Sequence, residues 1–348
     1  MITAPLLQAD DLVKEYPVRH RVLGRGTGPK VHAVNGVSLE VRAGETLGVV
    51  GESGCGKSTL ARLLARLDDV TAGSIRFQGR DITSLSRRAL RSVRAELQMV
   101  FQDPYSSLNP RRRVGDIVAE PLRVHRYGDE TAIKRRVAEL LEMVGLSPDH
   151  AVRYPREFSG GQRQRIGIAR ALAPRPKLII ADEPVSALDM SIQAQVLNLF
   201  ASLRRELDLT CVFIAHDLGV VRHVSDRVAV MYLGSVVELS AREALYSAPA
   251  HPYTEALLSA VPNIDDGTDD TPRERIVLAG DIPSPIDLPV GCAFAARCRY
   301  ARDRCRREKP VLRQLTPDHA VACHFPLTHS PEIGDASRRS APVSGNGR

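Results

Sequence analysis

Gly51, Gly56, Lys57 and Ser58 fall in the order Gly-x-x-x-x-Gly-Lys-Ser within VGESGCGKST, residues 50–59. Residues of these types at this spacing suit the cradling of a phosphate chain. The glycines let backbone N–H groups turn inward around phosphate oxygens. Lys57 reaches the β- and γ-phosphates, the Ser58 hydroxyl is a Mg²⁺ ligand, and a helix starting at Lys57 adds a favourable partial charge. Glu52, Ser53, Gly54, Cys55 and Thr59 complete the loop. The flanks agree: apolar ETLGVV precedes, and STLARLLARL has a helical apolar period. A flexible turn with a surface lysine would require neither. Cys55 is either a small space-filler or a reactive thiol, because Lys57 and a helix N-terminus both lower a thiol pKa.

A second constellation, LIIADEP, supplies acids. Asp182 ends an apolar strand, where ligands of open α/β sheets gather, and can hold Mg²⁺ through water. Glu183 beside it can orient and polarise an attacking water. The two stretches together point to binding and hydrolysis of a nucleoside triphosphate.

The elements that must position these groups alternate. DLVKEYPV, HAVNGVSLEV and ETLGVV read as short strands, interrupted by a loop-like insertion, RHRVLGRGTGPK. Residues 87–100 and 130–145 read as helices. SGGQRQRIGIARALAP opens on a serine N-cap and stops at Pro174. KLIIADEP and TCVFIAHD are continuous apolar runs, as buried parallel strands require. Helices between strands predict an α/β core. Composition shifts near residue 247. NIDDGTDDTPRER reads as an exposed linker, a Pro- and Gly-rich segment follows, and residues 328–348 have too little to bury to fold.

The 348 residues carry 43% hydrophobic and 26% charged side chains, a globular balance. No run approaches 18 apolar residues, so no transmembrane helix is encoded, and the acidic N-terminus lacks the features of a signal peptide. A cytoplasmic setting follows, in which the six cysteines are thiols or ligands and Cys211 is a small buried hydrophobe. The net charge of +7 is modest, and Arg111, Arg112 and Arg113 read as a solvated cluster.

FSGGQRQRIGIARAL resembles the signature motif of ATP-binding cassette (ABC) ATPases, with Ser159, Gly160, Gly161 and Gln162 at its core. The other family motifs follow in order. Gln102 in MVFQDP matches the Q-loop, Ser186–Asp189 the D-loop, and His216 in IAHD the switch histidine; Tyr16 in KEYPV matches the aromatic that stacks on adenine. FQDPYSSLNP, HPYTEALLSAVP, GDIPSP and GCAFAARC are similar to the ATPases of oligopeptide/dipeptide importers.

This resemblance implies an ABC-type P-loop fold: a RecA-like core, a helical subdomain and an antiparallel β subdomain, plus a small Cys-containing C-terminal appendage. The expected division is an ATP-binding domain over 6–260, the appendage over 261–327 and a disordered tail over 328–348. It implies ATP with Mg²⁺ held by Ser58, Gln102 and Asp182, and catalysis by Glu183, His216 and Gln102. It also implies a second ATPase subunit, two transmembrane permease subunits, an extracytoplasmic binding protein acting indirectly, and a place at the cytoplasmic face of the membrane. Members of the same subfamily serving nickel or glutathione uptake are alternatives. A soluble ABC ATPase acting on nucleic acid or ribosomes is the reading from another class, and no nucleic-acid partner is expected.

Cys292, Cys298, Cys305 and Cys323 lie in the appendage. None forms the tight Cys-x₂-Cys knuckle usual for zinc. Four thiolates on irregular loops suit a cubane cluster. The spacing resembles that of the importer subfamily, some of whose members hold [4Fe–4S], although Ala296 and Arg299 stand where prolines are frequent. A structural [4Fe–4S] cluster is the expectation, with zinc and free thiols as alternatives.

Overall fold

The computed structural model describes residues 4–18, 28–261 and 275–327. Most of the insertion, nearly all of the linker and the whole tail anticipated above lie outside the described residues.

Two sheets organise the chain. The first is antiparallel: β1 (Leu7–Pro17), β2 (Lys30–Val41), β4 (Ala72–Phe77) and β5 (Arg80–Asp81), in the order β2-β1-β4-β5. Its strands alternate: Val37, Leu39 and Val41 are buried, with exposed residues between them, so one face covers the core.

The second sheet is built from β3 (Thr46–Val50), β6 (Leu97–Val100), β7 (Leu178–Asp182), β8 (Thr210–Ala215), β9 (Arg227–Tyr232), β10 (Ser235–Ala241), β11 (Arg313–Thr316) and β12 (His319–Val321). Its order is β11-β12-β10-β9-β3-β8-β7-β6. The strands from β9 to β6 pair in parallel, and β10, β12 and β11 extend the sheet antiparallel. Every residue of β3, β7 and β8 is buried, as continuous apolar runs covered on both faces must be.

α1 (Lys57–Leu64) follows β3 and packs on the sheet. The helix expected over 87–100 is shorter. α2 (Leu90–Glu96) stops where Leu97 leaves to begin β6, whose residues 97–100 align with Leu178–Ala181 of β7. Burial of Leu97, Met99 and Val100 in a ladder outweighs helical continuation. Four helices form a separate layer: α3 (Pro104–Ser107), α4 (Val114–Val124), α5 (Glu130–Met143) and α6 (Gly160–Leu172). They share a core through Ile117, Val118, Leu140, Leu141 and Ile168. α7 (Met190–Leu207), α8 (Leu218–Val224), α9 (Arg242–Ser247) and α10 (Pro252–Ser259) complete the parallel core. The three parts expected of an ABC cassette are all present.

The cysteine-bearing segment is knitted to this body. It contributes β11, β12 and the short α11 (Asp303–Arg307). Phe294 is buried against Tyr232, Tyr253 and His251, with ring centroids 5.3, 5.4 and 5.7 Å away. Glu238 of β10, fully buried, is the junction: it accepts from the backbone N–H groups of Ala250 (2.7 Å) and His251 (2.9 Å), and its Oε1 lies 2.7 Å from His319 Nε2 of β12.

His251 caps α10 by accepting from the Tyr253 N–H at 3.0 Å. Burial lowers its pKa to about 4, against an opposing pull from Glu238. An unfolded histidine protonates near pH 6.5. As pH falls, the unfolded chain therefore takes up this proton first. The stability due to neutral His251 is present above about pH 6.5 and is lost progressively down to about pH 4. Urea titrations should show His251→Asn, which keeps an acceptor, losing less stability than the wild type across that window. Equal slopes would remove His251 as the acid-sensitive group.

Candidate functional site

The loop between β3 and α1 turns so tightly that only glycine fits at its ends. A Cβ on Gly51 would lie 2.2 Å from the Met231 carbonyl oxygen. Gly56 has φ +103°, and a Cβ there would lie 2.1 Å from the Ala33 carbonyl oxygen. Lys57 is buried, and its Nζ donates to the carbonyls of Gly51 (2.7 Å) and Glu52 (3.0 Å). The ammonium is thus held across the mouth of the loop, 3.8 Å from Glu183 Oε1.

Ser58 Oγ donates to Asp182 Oδ1 at 3.0 Å, joining the loop to the end of β7. Asp182 is buried, and desolvation raises its pKa. A desolvated carboxylate beside a hydroxyl suits a divalent cation that completes its shell with phosphate oxygens and water. The residues therefore fit Mg²⁺.

Glu183 gathers the remaining groups. Gln102 Nε2 donates to its Oε2 at 2.9 Å, and His216 Nδ1 lies 3.6 Å from the same oxygen. Its backbone has φ +44°, a left-handed conformation costly for a non-glycine residue and typical of functional sites. Glu183, Ser186, Gln193, His216 and Asp217 line a small cleft beside it. A carboxylate held by an amide, with an imidazole and an ammonium nearby, can position water and receive its proton.

Tyr16, near the end of β1, is half-buried; its hydroxyl donates to Asp68 at 3.1 Å, and Lys14 Nζ lies 5.0 Å from its ring centroid. Ser159 caps α6 with a reciprocal capping box: Gln162 N–H donates to Ser159 Oγ (3.3 Å), and Ser159 N–H donates to the Gln162 side chain (3.1 Å). A Cβ on Gly161 would lie 2.3 Å from Ile192 Cγ2, so glycine is needed for α6 to approach α7. Among the described residues, no hydrogen bond joins this motif to the phosphate loop. The structure thus brings together Lys57, Ser58, Gln102, Asp182, Glu183 and His216, and leaves Ser159–Gln162 on another surface.

Two comparisons decide the family. Residues 34–186 match the family described as ABC transporter, and residues 237–305 match the one described as oligopeptide/dipeptide transporter, C-terminal region. The chain is 54% identical over 321 residues to the oligopeptide transport ATP-binding protein AppF of Bacillus subtilis, covering 92% of this chain and 97% of that one. The chain belongs to the ATP-binding subunits of ABC transporters. It is also 50% identical over 319 residues to the di/tripeptide transport ATP-binding protein DppF of Pseudomonas aeruginosa, covering 92% and 97%. Among solved structures, it resembles the dimeric ATP-binding cassette MJ0796 described as a post-hydrolysis state bound to ADP and Pi. That likeness has a TM-score of 0.60 and 29% identity, covering 68% of this chain and 98% of that one. Like other ABC subunits of this kind, the chain is an ATPase.

The appendage of this ABC subunit requires a correction. Cys292, Cys298, Cys305 and Cys323 do line one small cavity, with Phe294 and Phe325. They are free thiols. Among the described residues, no group of three or more His, Cys, Asp or Glu side chains is placed to hold a metal ion. The expected [4Fe–4S] cluster is not supported, and the zinc alternative fails on the same ground. Burial pushes the Cys292 and Cys298 thiols up and that of Cys323 up to about 11, which favours the neutral thiol. Phe294 and β12 anchor the appendage in the cassette.

Cys55 also departs from the reactive reading. It is buried, and desolvation raises its pKa despite Lys57 Nζ at 4.0 Å. A raised pKa means less thiolate at neutral pH. Maleimide should label native Cys55 at least about tenfold more slowly than the urea-unfolded chain. Fast native labelling, located by peptide mass spectrometry, would contradict the buried geometry.

One supporting residue had no motif to reveal it. The backbone N–H of Glu52 donates to the hydroxyl of Tyr253, fully buried in α10, at 2.9 Å. HPYTEALLSAVP was legible as a subfamily stretch, but not as a prop for a loop 201 residues away.

Proposed function

We propose that the chain hydrolyses ATP to energise uptake of oligopeptides or dipeptides across the cytoplasmic membrane, as the separate ATPase subunit of an importer. The observation that carries this reading is the presence, in one chain, of an ABC cassette and the oligopeptide/dipeptide transporter C-terminal region. Residues 6–260 serve as the cassette and 261–327 as the appendage.

The loop amides and Lys57 bind the β- and γ-phosphates, and Tyr16 stacks on adenine. Ser58 and Asp182 hold Mg²⁺, with Gln102 as a further ligand; the bound ion neutralises phosphate charge. Glu183 orients the attacking water and accepts its proton, while Gln102 and His216 fix its carboxylate. His216 also contacts the γ-phosphate. The capped N-terminus of α6, Ser159–Gln162, serves the nucleotide of a second ATPase subunit. Gln102 and the following DPYSSLNP offer the groove for two permease subunits, which an extracytoplasmic binding protein supplies with peptide. Among the described residues, no helix is long and apolar enough to cross a membrane, which suits a peripheral subunit.

Reconstitution tests this reading. Coexpressed with the membrane subunits encoded beside it, the chain should copurify with them. In proteoliposomes, its ATPase rate should rise with peptide and binding protein. Failure to copurify, combined with stimulation by nucleic acid, would overturn the importer reading.

A further inference from the structure

Arg297, in the loop before α11, reaches into the phosphate loop. Its Nη1 donates to Glu52 Oε2 at 2.7 Å and its Nη2 to Glu52 Oε1 at 3.1 Å. The geometry is the paired fork of a bidentate arginine–carboxylate contact. The Arg297 side chain is only 8% exposed and that of Glu52 25%. The guanidinium also lies over Tyr232, 5.9 Å from the ring centroid, and the Arg297 N–H donates to the Phe294 carbonyl at 3.0 Å. Phe294 is itself locked among Tyr232, Tyr253 and His251. The segment Cys292–Arg297 is therefore fixed in the cassette and presents one cation to one loop residue.

Glu52 has no other cationic partner among the described salt bridges. Its carbonyl accepts from Lys57, and its N–H is held by Tyr253, so it belongs to the part of the loop that shapes the cradle. A carboxylate there repels a triphosphate unless its charge is cancelled. We propose that Arg297 is a positioning residue for nucleotide binding. Its bidentate pair cancels the Glu52 carboxylate and holds the first turn of the phosphate loop, so the C-terminal segment and the cradle act as one coupled unit. The coupling is reciprocal: whatever the segment contributes to nucleotide affinity, bound nucleotide returns to the order of the segment.

The test separates charge cancellation from simple folding support. In Arg297→Gln the Glu52 carboxylate is left unpaired, and both the Kd for a fluorescent ADP analogue with Mg²⁺ and the KM for Mg-ATP should rise about tenfold, with kcat within about twofold. Arg297→Lys, a point charge without the fork, should fall between. Adding Glu52→Gln to Arg297→Gln should restore most of the lost affinity, a rescue that a scaffold role would not produce. Unchanged affinity in Arg297→Gln, or no rescue in a double variant with wild-type circular dichroism, would overturn the proposal. If Arg297→Gln does not fold, hydrogen exchange on the wild-type protein decides. Saturating Mg-ADP should slow exchange of amides in residues 292–306 severalfold, and identical exchange with and without nucleotide would overturn it.

Discussion

Glu183→Gln should bind Mg-ATP with near wild-type affinity and turn it over about a thousandfold more slowly or worse. The substitution is isosteric, removes only the charge facing Lys57, and leaves the Lys57 bonds to the loop carbonyls and the Ser58–Asp182 contact in place. What it removes is the acceptor for the water's proton at the centre of the Gln102, His216 and Lys57 cluster. An amide at this position cannot take that proton. Because ATP persists, two cassettes should stay closed around it, and size-exclusion chromatography with ATP should show a dimer that the wild type does not accumulate. Single-turnover measurements check the chemical step. Loss limited to tenfold would move the base elsewhere in the cleft.

Glu238→Ala should destabilise the fold strongly, by roughly 3 to 5 kcal/mol. Glu238 is wholly buried and engages two backbone N–H groups and His319. Truncation orphans three polar groups at once, where the start of α10 meets β12. Loss on this scale is a large share of the stability of a typical folded protein. Urea midpoints read it directly, and a change below about 1 kcal/mol would show that water or rearrangement replaces the carboxylate. The same variant should loosen His251 and hence the Tyr253 prop under Glu52, so nucleotide affinity should fall with stability.

Legibility from sequence followed the range over which each constraint acts. The phosphate loop was readable because its glycine and lysine requirements are set by neighbours within ten residues. Asp182 and Glu183 were readable because a continuous apolar strand ends there. The helix over 87–100 was overextended because an apolar run carries the same composition in a helix as in a strand, and only pairing with β7 decides. Cys55 misleads through proximity: Lys57 is two residues away, but its ammonium turns to the carbonyls of Gly51 and Glu52, and burial dominates. The cysteine cluster misleads differently, since spacing reports that four thiols can meet but not whether an apolar pocket already satisfies them. Tyr253 and Arg297 were illegible as parts of the site because their contacts close over 201 and 245 residues.

Those long closures bear on how the protein is made. The first turn of the phosphate loop is completed by a carboxylate–guanidinium pair whose members are separated by 245 residues of chain. At a synthesis rate of about 5 to 20 residues per second, a ribosome needs roughly 12 to 50 seconds to travel from Glu52 to Arg297. Throughout that interval the nascent chain carries a nucleotide-binding motif whose Glu52 lacks its counter-charge. A chain truncated before residue 275 would carry the motif without that partner. The cradle thus acquires its full affinity for nucleotide only after most of the chain has been made.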